Sequence, residues 1–375
     1  MKSGDLPDED ARFMDEAVRL SAQHLGQTAT NPSVGCIIVR DDGDGPVIVG
    51  RAVTALGGRP HAETQALKMA GEKARGATAY VTLEPCSHHG RTPPCTEALI
   101  ASGIGRVVIS VLDPDERVSG RGAALLREAG IKVTLGTRSQ QSERALEAYL
   151  MRQRSKRPHV TLKLAISADG MIGRKGEGQV RITGAEAREA VHHLRARIDA
   201  ILVGIGTAIA DDPELTSRLP GLEERSPVRI VLDRRLDLPL SSKLARTARD
   251  VRVIAVADSE IARATVDDAF DARRTALEAL GVEVLDCNSA KLADLLMALA
   301  TRGVSSLLVE GGARTAVAFL DAGLVDRILL FRGPGRIGET GIASPFDTRS
   351  IPSGFRLVET RGFGADICDT YERDI

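Results

Sequence analysis

Three side chains that commonly bind metal ions, those of His61, Cys86 and Cys95, place the strongest constraint on how this chain can fold. Zn²⁺ accepts one imidazole and two thiolates, and a site with only three protein ligands leaves its fourth position open to water. Three separate segments of the chain must therefore meet at one point. The open position favours a catalytic metal, and a purely structural zinc site is the alternative.

The sequence around these ligands indicates which elements carry them. A helical pattern begins at His61 and continues to Lys73, and a predicted strand over Thr78–Leu83 leads to Cys86. Cys95 begins the next predicted helix. Two helix N-termini would thus converge on one point, where their dipoles favour a negative charge and lower the pKa of a thiol.

Glu63 lies two residues after His61, close to the expected metal without being needed as a ligand. A carboxylate at this position can carry protons. In zinc deaminases one His and two Cys hold the ion, the ion activates water for attack on a ring carbon, and a nearby Glu transfers the protons. His88 and His89 are alternative sources of a fourth ligand, which would close the site.

The loop between the two cysteines is long. Eight residues separate Cys86 from Cys95, whereas two separate the paired cysteines in the short form of this motif. A loop of this length can contact a substrate as well as hold a metal. Asn31, just before a predicted strand over Val34–Val39, has two interpretations: its amide faces a substrate, or it forms a turn.

The chain is long enough for more than one domain. At 375 residues it exceeds the size at which a single core usually keeps growing, which predicts two domains. The short basic segment 154–158 is the expected linker, so we predict domains over residues 1–154 and 155–375. The chain carries 50 Lys and Arg against 51 Asp and Glu, without a basic block. This balance argues against a nucleic-acid partner and favours a small substrate.

A cytoplasmic location is expected. The first ten residues are acidic and lack an apolar core, and no run of about 18 apolar residues predicts a membrane span. Five cysteines form an odd set, which fits a reducing compartment better than a disulfide framework. We interpret Cys36, Cys287 and Cys368 as buried packing residues. We also expect a homo-oligomer.

The second half contains two glycine turns that suggest a nucleotide site. A predicted strand twice leads into a glycine turn and then a helix, at Gly204–Thr207 and at Glu310–Ala313. Such turns can bind phosphate at a helix N-terminus, so the pair suggests a dinucleotide along the C-terminal ends of the strands. Neither turn has the six-position Rossmann fingerprint. Arg195 and Arg218 are candidates for binding a substrate phosphate, and solvated surface arginines are the alternative interpretation.

These motifs together resemble those of the bifunctional riboflavin-biosynthesis deaminase/reductase family. In the first half the resemblance rests on Asn31-Pro32, Val34-Gly35-Cys36, His61-Ala62-Glu63 and the segment 85–95. In the second half it rests on Lys163-x-Ala165-x-Ser167-x-Asp169-Gly170, on Gly204-x-x-Thr207-x-x-x-Asp211-Asp212-Pro213-x-Leu215-Thr216, and on Glu310-Gly311-Gly312. It covers about residues 10–370.

The resemblance implies an α/β fold in both domains. The first would be a cytidine-deaminase-like three-layer α/β/α domain, and the second a dihydrofolate-reductase-like α/β domain. The implied first reaction is zinc-dependent hydrolytic deamination of 2,5-diamino-6-ribosylamino-4(3H)-pyrimidinone 5′-phosphate, a small phosphorylated pyrimidine. The implied second reaction is NADPH-dependent reduction of the ribosyl side chain, which gives 5-amino-6-ribitylamino-uracil 5′-phosphate.

The same resemblance implies roles for residues at matching positions. His61, Cys86 and Cys95 would hold zinc, and Glu63 would be the catalytic proton shuttle. The implied cofactor-binding residues are Ala165, Thr207, Asp211, Gly312, Ala313, Arg314, Thr315, Ala316, Val317 and Ala318. The implied substrate-binding residues are Asn31, His88, Arg91, Asp113, Lys163, Arg195, Leu215, Arg218 and Glu310.

The chain departs from the family pattern at two positions. Arg181 stands before Ile182-Thr183 where many relatives have an aromatic residue, which changes one wall of the expected reductase pocket. Asp115 stands where the Asp-Pro-Asn form of the deaminase motif has Asn, which is expected to weaken contact with the phosphate of the substrate. Neither position belongs to the expected zinc centre.

Two other functions are compatible with parts of the sequence. One is a nucleoside or tRNA deaminase with an accessory nucleotide-binding domain, which the neutral charge and the long cysteine loop disfavour. The other is a zinc-stabilised regulator that senses a nucleotide without catalysis. That hypothesis leaves Glu63 unexplained.

Overall fold

The computed structural model describes residues 8–90, 92–115, 118–258, 260, 269–288 and 291–374. The chain divides after Lys156 into two compact units, called here the first and second unit. Each unit has its own buried apolar clusters. In the described part of the chain, no helix combines the length and apolar character needed to span a membrane.

The first unit alternates strands with helices. Its elements are α1 Asp8–Ser21, β1 Gly35–Asp41, β2 Pro46–Val53, α2 Ala62–Ala70, β3 Thr78–Leu83, α3 Cys95–Ser102, β4 Arg106–Val111, α4 Arg121–Glu128, β5 Lys132–Leu135 and α5 Ser139–Ser155. Within the described residues they form one five-stranded sheet in the order β2-β1-β3-β4-β5. β1 is antiparallel to β2 and β3, whereas β3, β4 and β5 are parallel. β1 and β2 therefore form a β-hairpin.

Helices cover both faces of this sheet. Successive residues of β1 are buried on opposite sides, because Ile37 packs with the α1 cluster and Ile38 with the α2 and α3 cluster. A Cβ atom on Gly50 of β2 would lie 2.3 Å from the carbonyl oxygen of Ala66 in α2. Glycine at this position thus permits the close approach that sets the position of α2 against the sheet.

The second unit is built on a larger, mostly parallel sheet. Its elements are β6 His159–Ile166, β7 Met171–Arg174, α6 Ala185–Arg195, β8 Ala200–Gly204, α7 Ile205–Asp211, β9 Val228–Leu232, α8 Lys243–Arg246, β10 Val253–Ala257, α9 Phe270–Ala279, β11 Glu283–Asp286, α10 Leu292–Thr301, β12 Ser306–Val309, α11 Ala313–Asp321, β13 Arg327–Arg332, β14 Gly341–Ala343, β15 Phe355–Phe363 and β16 Asp366–Arg373. Among the described residues the nine-stranded sheet has the order β11-β10-β9-β8-β12-β6-β13-β16-β15. β7 pairs with β14 in a separate two-stranded sheet.

The strand order brings the two glycine turns together. β8 and β12 are parallel neighbours, with Val309 opposite Leu202, so the turns that follow them lie at the same edge of the sheet. β6 lies on the other side of β12, and β9 on the other side of β8. Ligands of open parallel sheets bind at this carboxyl edge. Sequence periodicity could not supply this order, because it carries no information about which strands pair.

Several elements were not predicted from the sequence. These are β7, β11, β13, β14, β15, β16, α8 and α9. β15 is an edge strand whose residues are mostly exposed, so it lacks the buried pattern by which a strand is recognised. The interpretation of the remaining cysteines is confirmed for Cys36 and Cys368, which are buried. It is confirmed in part for Cys287, which is partly exposed but packs against an apolar cluster of the second unit.

Candidate active sites

The metal-binding side chains of the first unit converge. His61 Nδ1 lies 3.6 Å from Cys86 Sγ and 3.4 Å from Cys95 Sγ. All three ligand atoms lie within 4.8 Å of one another. His61 precedes the first residue of α2, Cys86 follows β3, and Cys95 is the first residue of α3. The predicted convergence of two helix N-termini is therefore present.

These distances fit a shared zinc ion. Tetrahedral zinc with Zn–N of about 2.0 Å and Zn–S of about 2.3 Å separates nitrogen from sulfur by about 3.5 Å. The backbone N–H of Cys95 donates to Cys86 Sγ at 3.2 Å. The hydrogen bond with Cys95 lowers the pKa of Cys86 to about 4, whereas the same bond and burial raise that of Cys95. A divalent cation stabilises both thiolates together, which is how this donor set binds metal.

Glu63 is buried beside the ligands, with 4% of its surface exposed. Its position in the first turn of α2 follows from the His61-Ala62-Glu63 spacing. Burial, and then the charge of Cys86, raise the pKa of Glu63 to about 7. A carboxyl group whose pKa lies near neutrality can both accept and donate a proton, as general acid–base catalysis requires.

The two histidines of the cysteine loop are not part of the ligand cluster. Among the described residues the cluster contains His61, Cys86 and Cys95. His89 is exposed, with Nε2 3.5 Å from the carboxylate of Glu97. His88 is partly buried, and no hydrogen bond is formed by its buried Nδ1 within the described part of the chain.

Three other substrate positions predicted in the first unit have different outcomes. Arg91 lies outside the described residues. The amide of Asn31 packs near Gly58, where a Cβ atom would lie 2.4 Å from Asn31 Nδ2. Asp113 is buried, and its carboxylate accepts hydrogen bonds from Tyr149 Oη at 2.9 and 3.0 Å. The carboxylate of Asp113 is therefore engaged within the protein and fixes the loop after β4, and its contact with a substrate stays a prediction.

The candidate site of the second unit is a cavity of about 1270 Å³ at the carboxyl edge of the sheet. This volume exceeds the range of about 300–1,000 Å³ typical of sites for one drug-sized ligand. Residues of both glycine turns line it, together with Lys163 of β6 and the segment 178–183 before α6. There is room for two ligands.

The two glycine turns are packed against each other. Thr207 Oγ1 accepts a hydrogen bond from the backbone N–H of Gly312 at 3.1 Å. Gly311 has φ of +105°, and a Cβ atom there would lie 2.8 Å from Thr207 Oγ1. Reciprocally, a Cβ atom on Gly204 would lie 2.7 Å from Thr315 Oγ1. Larger side chains at these glycines would separate the turns, whereas Gly206 faces open space, as a phosphate-binding turn requires.

A buried ionic group lies beside the glycine turns. Arg195 donates to Glu310 through Nε at 3.2 Å and Nη2 at 3.0 Å, and its Nη1 donates to the carbonyl of Thr216 at 3.3 Å. The two charged side chains are only 12% and 10% exposed. Burial lowers the pKa of Lys163, and the charge of Glu310 acts in the opposite direction. Burial alone would raise the pKa of Glu310, but Arg195 and Lys163 hold it below its usual value.

The cavity contains most of the positions predicted for the second unit. The predicted residues that line it are Ala165, Thr207, Asp211, Gly312, Ala313, Arg314, Thr315, Ala318, Lys163, Arg195, Leu215, Arg218 and Glu310. Ala316 and Val317 do not line it, because the helical repeat of α11 buries Ala316 in the core and exposes Val317 elsewhere. For these two residues, contact with the cofactor stays a prediction that the cavity does not support.

Sequence reasoning missed Arg234 and Arg235, which line the same cavity. They follow β9, whose central residues are buried, so two consecutive cations after an apolar strand were the available signal. Arg218 was predicted, and it is half-exposed and paired with Glu214 at 2.7 Å. The alternative interpretation, a solvated surface arginine, therefore fits Arg218. It does not fit Arg195, which is enclosed.

Comparisons with known proteins cover both units of the chain. Residues 7–111 match the cytidine and deoxycytidylate deaminase zinc-binding region, and residues 158–368 match the RibD C-terminal domain. The riboflavin biosynthesis protein RibD of Aquifex aeolicus is 38% identical over 97% of this chain and 98% of its own length. The chain belongs to the RibD family.

Solved structures of RibD proteins have the same fold. Acinetobacter baumannii RibD has a TM-score of 0.85 at 35% identity, and the match covers 98% of this chain and 99% of the other. A Thermotoga maritima diaminohydroxyphosphoribosylaminopyrimidine deaminase/5-amino-6-(5-phosphoribosylamino)uracil reductase has a TM-score of 0.83 at 32% identity, covering 98% and 99%. The expected fold class is confirmed. This RibD-family chain is a bifunctional deaminase and reductase of riboflavin biosynthesis that uses zinc and NADPH.

Proposed function

We propose that this chain converts the substrate named for the Thermotoga relative, diaminohydroxyphosphoribosylaminopyrimidine, in two steps. The unit that ends at Lys156 removes an amino group as ammonia, and the unit that begins at Arg157 reduces the resulting phosphoribosylaminouracil. The observation that carries this proposal is the pairing, in one chain, of a His-Cys-Cys cluster beside a buried Glu63 with a cavity large enough for two ligands.

His61, Cys86 and Cys95 are the proposed zinc ligands of the deaminase. A zinc ion held by these three residues would lower the pKa of a bound water and so supply hydroxide near neutral pH for addition to the amino-bearing ring carbon. Glu63 transfers one proton to the adjacent ring nitrogen and a second proton to the amino group that leaves as ammonia. Its burial, which raises the pKa of the carboxyl group, suits both transfers. The cysteine loop, which carries His88 and Arg91, is the proposed contact with the rest of the substrate.

Lys163 and Glu310 are the proposed polar pair of the reductase reaction. NADPH held in this cavity would supply the hydride for C1′ of the ring-opened phosphoribosylamino group, which is an imine. The new C–N group also takes up a proton, and Lys163 is the proposed donor because burial lowers the pKa of its ammonium group. Glu310 keeps that ammonium group charged until the transfer, since the two opposite charges lie in a region with little water.

The arginines of the cavity have separate proposed roles. Arg195 is already engaged with Glu310 and the carbonyl of Thr216, so we assign it to the positioning of Glu310. Arg218 is half-exposed at the cavity and can exchange Glu214 for a phosphate, which binds an arginine bidentately. Asp211 and the two glycine turns are the proposed binding surface for NADPH.

The proposed substrate is a small molecule, without nucleic-acid binding. The near balance of 50 basic and 51 acidic residues supports this restriction, because nucleic-acid binders carry a basic surface. We further propose a homo-oligomer and a reducing, cytoplasmic environment. The two ligand thiolates support the latter, since oxidation would destroy the metal site.

The test measures the release of ammonia and the consumption of NADPH separately. Purified protein with the diaminopyrimidine substrate is expected to release ammonia first and then to consume NADPH in the same molar amount. Release of ammonia from cytidine or from tRNA adenosine, with no turnover of the diaminopyrimidine, would favour the nucleoside or tRNA deaminase instead.

Glu63→Ala separates metal binding from proton transfer. The variant is expected to retain zinc and to reduce deaminated substrate normally, while ammonia release falls by about 10²–10⁴-fold. A Glu63→Ala protein that deaminates at the wild-type rate would rule out the proposed role. Glu97→Ala, on the exposed side of α3, is the matched control and should leave both activities unchanged.

A further inference from the structure

A small two-stranded ribbon forms one wall of the reductase cavity. It consists of β7 and β14, which pair antiparallel, and is called here the β7–β14 ribbon. Ile172, Gly173 and Arg174 of β7 line the cavity, and so does Ile342 of β14. Among the described residues, neither strand pairs with the nine-stranded sheet. The position of this wall therefore depends on contacts outside the main sheet.

The turn between β6 and β7 joins the ribbon to the main sheet. The backbone N–H of Ser167 donates to the carbonyl of Met171 at 2.9 Å. In return, Ser167 Oγ accepts a hydrogen bond from the backbone N–H of Met171 at 2.9 Å. Asp169 lies inside this turn, is partly exposed, and does not line the cavity itself.

The carboxylate of Asp169 connects this turn to the loop that leads into β14. Its Oδ1 accepts a hydrogen bond from the backbone N–H of Ile337 at 3.1 Å, and its Oδ2 accepts one from Gly338 at 2.8 Å. Ser167 Oγ donates to Oδ1 at 2.6 Å. The hydrogen bond from Ser167, and then those from Gly338 and Ile337, hold the pKa of Asp169 well below its usual value. The group is therefore charged at neutral pH.

A second contact joins the same loop to the far end of β7. Arg174 Nη2 donates to the carbonyl of Ile337 at 2.7 Å, and Arg174 Nη1 lies 2.9 Å from the carboxylate of Glu177. The peptide groups on both sides of Ile337 are thus bound, one by Asp169 and one by Arg174. Together these contacts hold the two strands of the ribbon at one place beside the cavity.

The cavity wall continues from the ribbon to α6 through the segment 175–183. Its far end is fixed, because the buried carboxylate of Asp366 accepts a hydrogen bond from the backbone N–H of Gly184 at 2.6 Å. Between the two ends, Gly176 has φ of +77° and Gly178 has φ of +66°. The wall is therefore held at a buried carboxylate on one side and at the partly exposed Asp169 on the other.

We infer that Asp169 is a positioning residue of the reductase, whose carboxylate holds the β7–β14 ribbon against the cavity and so sets the affinity of the cavity for its ligands. The inference rests on the proposed reductase function. Asp169 acts through Ile337 and Gly338, since it does not line the cavity. When these bonds break, the ribbon leaves the wall and the cavity is incomplete. A ligand that needs the complete wall then binds more weakly, in proportion to the fraction of protein in which the ribbon is held.

The test compares Asp169→Ala and Asp169→Asn with the wild type in the full-length protein. In Asp169→Ala the KM for NADPH and the KM for deaminated substrate are both expected to rise about tenfold, as they would if the ribbon were held in about one tenth of the molecules. The value of kcat should stay near that of the wild type, because saturating ligands draw the protein into the held form. Asp169→Asn retains one acceptor oxygen and should raise both KM values less.

Tryptic cleavage after Arg174 and Lys175 reports the position of the ribbon directly. Lys175 is exposed, and cleavage of a folded segment follows the population of its open form. Asp169→Ala without ligands should be cut at these two sites faster than the wild type, and NADPH should slow the cut. Mass spectrometry of the fragments gives the rate at each site.

Asp347→Ala is the matched control. The carboxylate of Asp347 also accepts a backbone hydrogen bond, from Arg349 at 2.8 Å, and a hydroxyl hydrogen bond, from Ser350 at 3.0 Å, but it does not line the cavity. Its kinetics and its cleavage after Lys175 should match the wild type. Wild-type KM values or a wild-type cleavage rate in Asp169→Ala would overturn the inference. A lower kcat at unchanged KM would also overturn it, because that result indicates loss of folded enzyme.

The two measurements separate this inference from the proposed function. If the wild-type protein oxidises no NADPH when deaminated substrate is present, the proposed reductase function fails. Tryptic cleavage needs no turnover, so it still decides whether Asp169 holds the ribbon. If the wild type oxidises NADPH and Asp169→Ala has the same KM values, the reductase function stands and the inference fails.

Discussion

The two candidate sites differ in how their residues are distributed. The metal centre joins three ligand atoms within 4.8 Å, all from short motifs that surround α2 and α3. The reductase cavity of about 1270 Å³ is lined by residues from Lys163 to Ile342, which come from at least four strand ends. The first site is specified by atoms at fixed distances, and the second by the shape of a surface.

This difference determines how each site responds to change. A metal centre depends on each donor atom, because removal of one ligand leaves an incomplete coordination shell. A dinucleotide surface spreads its binding energy over backbone N–H groups, glycines and several cations. Single changes should therefore abolish the first activity and only weaken the second. The three predictions that follow test this contrast.

Cys95→Ser is expected to have the largest effect. Loss of a direct zinc ligand should cost more than the 10–100-fold that loss of a supporting residue costs, so ammonia release should fall to background. Zinc content is measured by atomic absorption and ammonia by a coupled assay. Reduction of deaminated substrate should persist, because the second unit has its own cores.

Cys287→Ser is the matched control for this change. Cys287 is partly exposed in the second unit and lies outside the ligand cluster, so zinc content and ammonia release should stay at wild-type values. A Cys95→Ser protein that keeps one zinc per chain would contradict the assignment of this ligand.

Gly311→Ala is expected to have an intermediate effect, limited to the reductase. Its φ of +105° and the 2.8 Å approach of a Cβ atom to Thr207 Oγ1 should cost about 1–3 kcal/mol of stability. The KM for NADPH should rise because the two turns separate, while ammonia release stays constant. The midpoint of urea unfolding and the NADPH kinetics check these outcomes.

Gly206→Ala is the comparison for stability. A Cβ atom there meets nothing within 4 Å, and alanine favours helix α7 over glycine by about 1 kcal/mol. Its unfolding midpoint should therefore equal or exceed that of the wild type. If both variants unfold alike, the close packing of the two turns does not contribute to stability.

Glu310→Gln is expected to have the smallest effect, a displaced pH profile. The charge of Glu310 raises the pKa of Lys163 against the lowering effect of burial. If Lys163 donates the proton, reductase activity falls as pH rises through its pKa. Removal of the carboxylate lowers that pKa further, so the alkaline limb of kcat/KM should move to lower pH.

The control for this pH shift is Glu214→Gln. Glu214 pairs with Arg218 at the half-exposed edge of the cavity, where an ion pair contributes about 0–1 kcal/mol. Its alkaline limb should coincide with that of the wild type. If the alkaline limb of the pH profile is unchanged in Glu310→Gln, Lys163 is not a proton donor whose pKa is raised by Glu310.

Much of the candidate chemistry could be predicted from local sequence. The positions of His61, Cys86 and Cys95 at the ends of elements followed from periodicity, and the structure places α2, β3 and α3 there. The two glycine turns were recognised in the same way. Asp113 illustrates the limit: its carboxylate is engaged by Tyr149, which lies 36 residues away in the chain, and no local pattern indicates that contact.

The sequence by itself determined the candidate metal ligands, the position of Glu63 beside them and the two glycine turns, because each depends on residue type and short-range spacing. The tertiary structure alone decided that β8 and β12 are neighbours, and that the segment after β9 lines the same cavity as Lys163. The physical reason is that strand order arises from the packing of distant segments into one sheet. Arg234 and Arg235 come to line the cavity only through that packing.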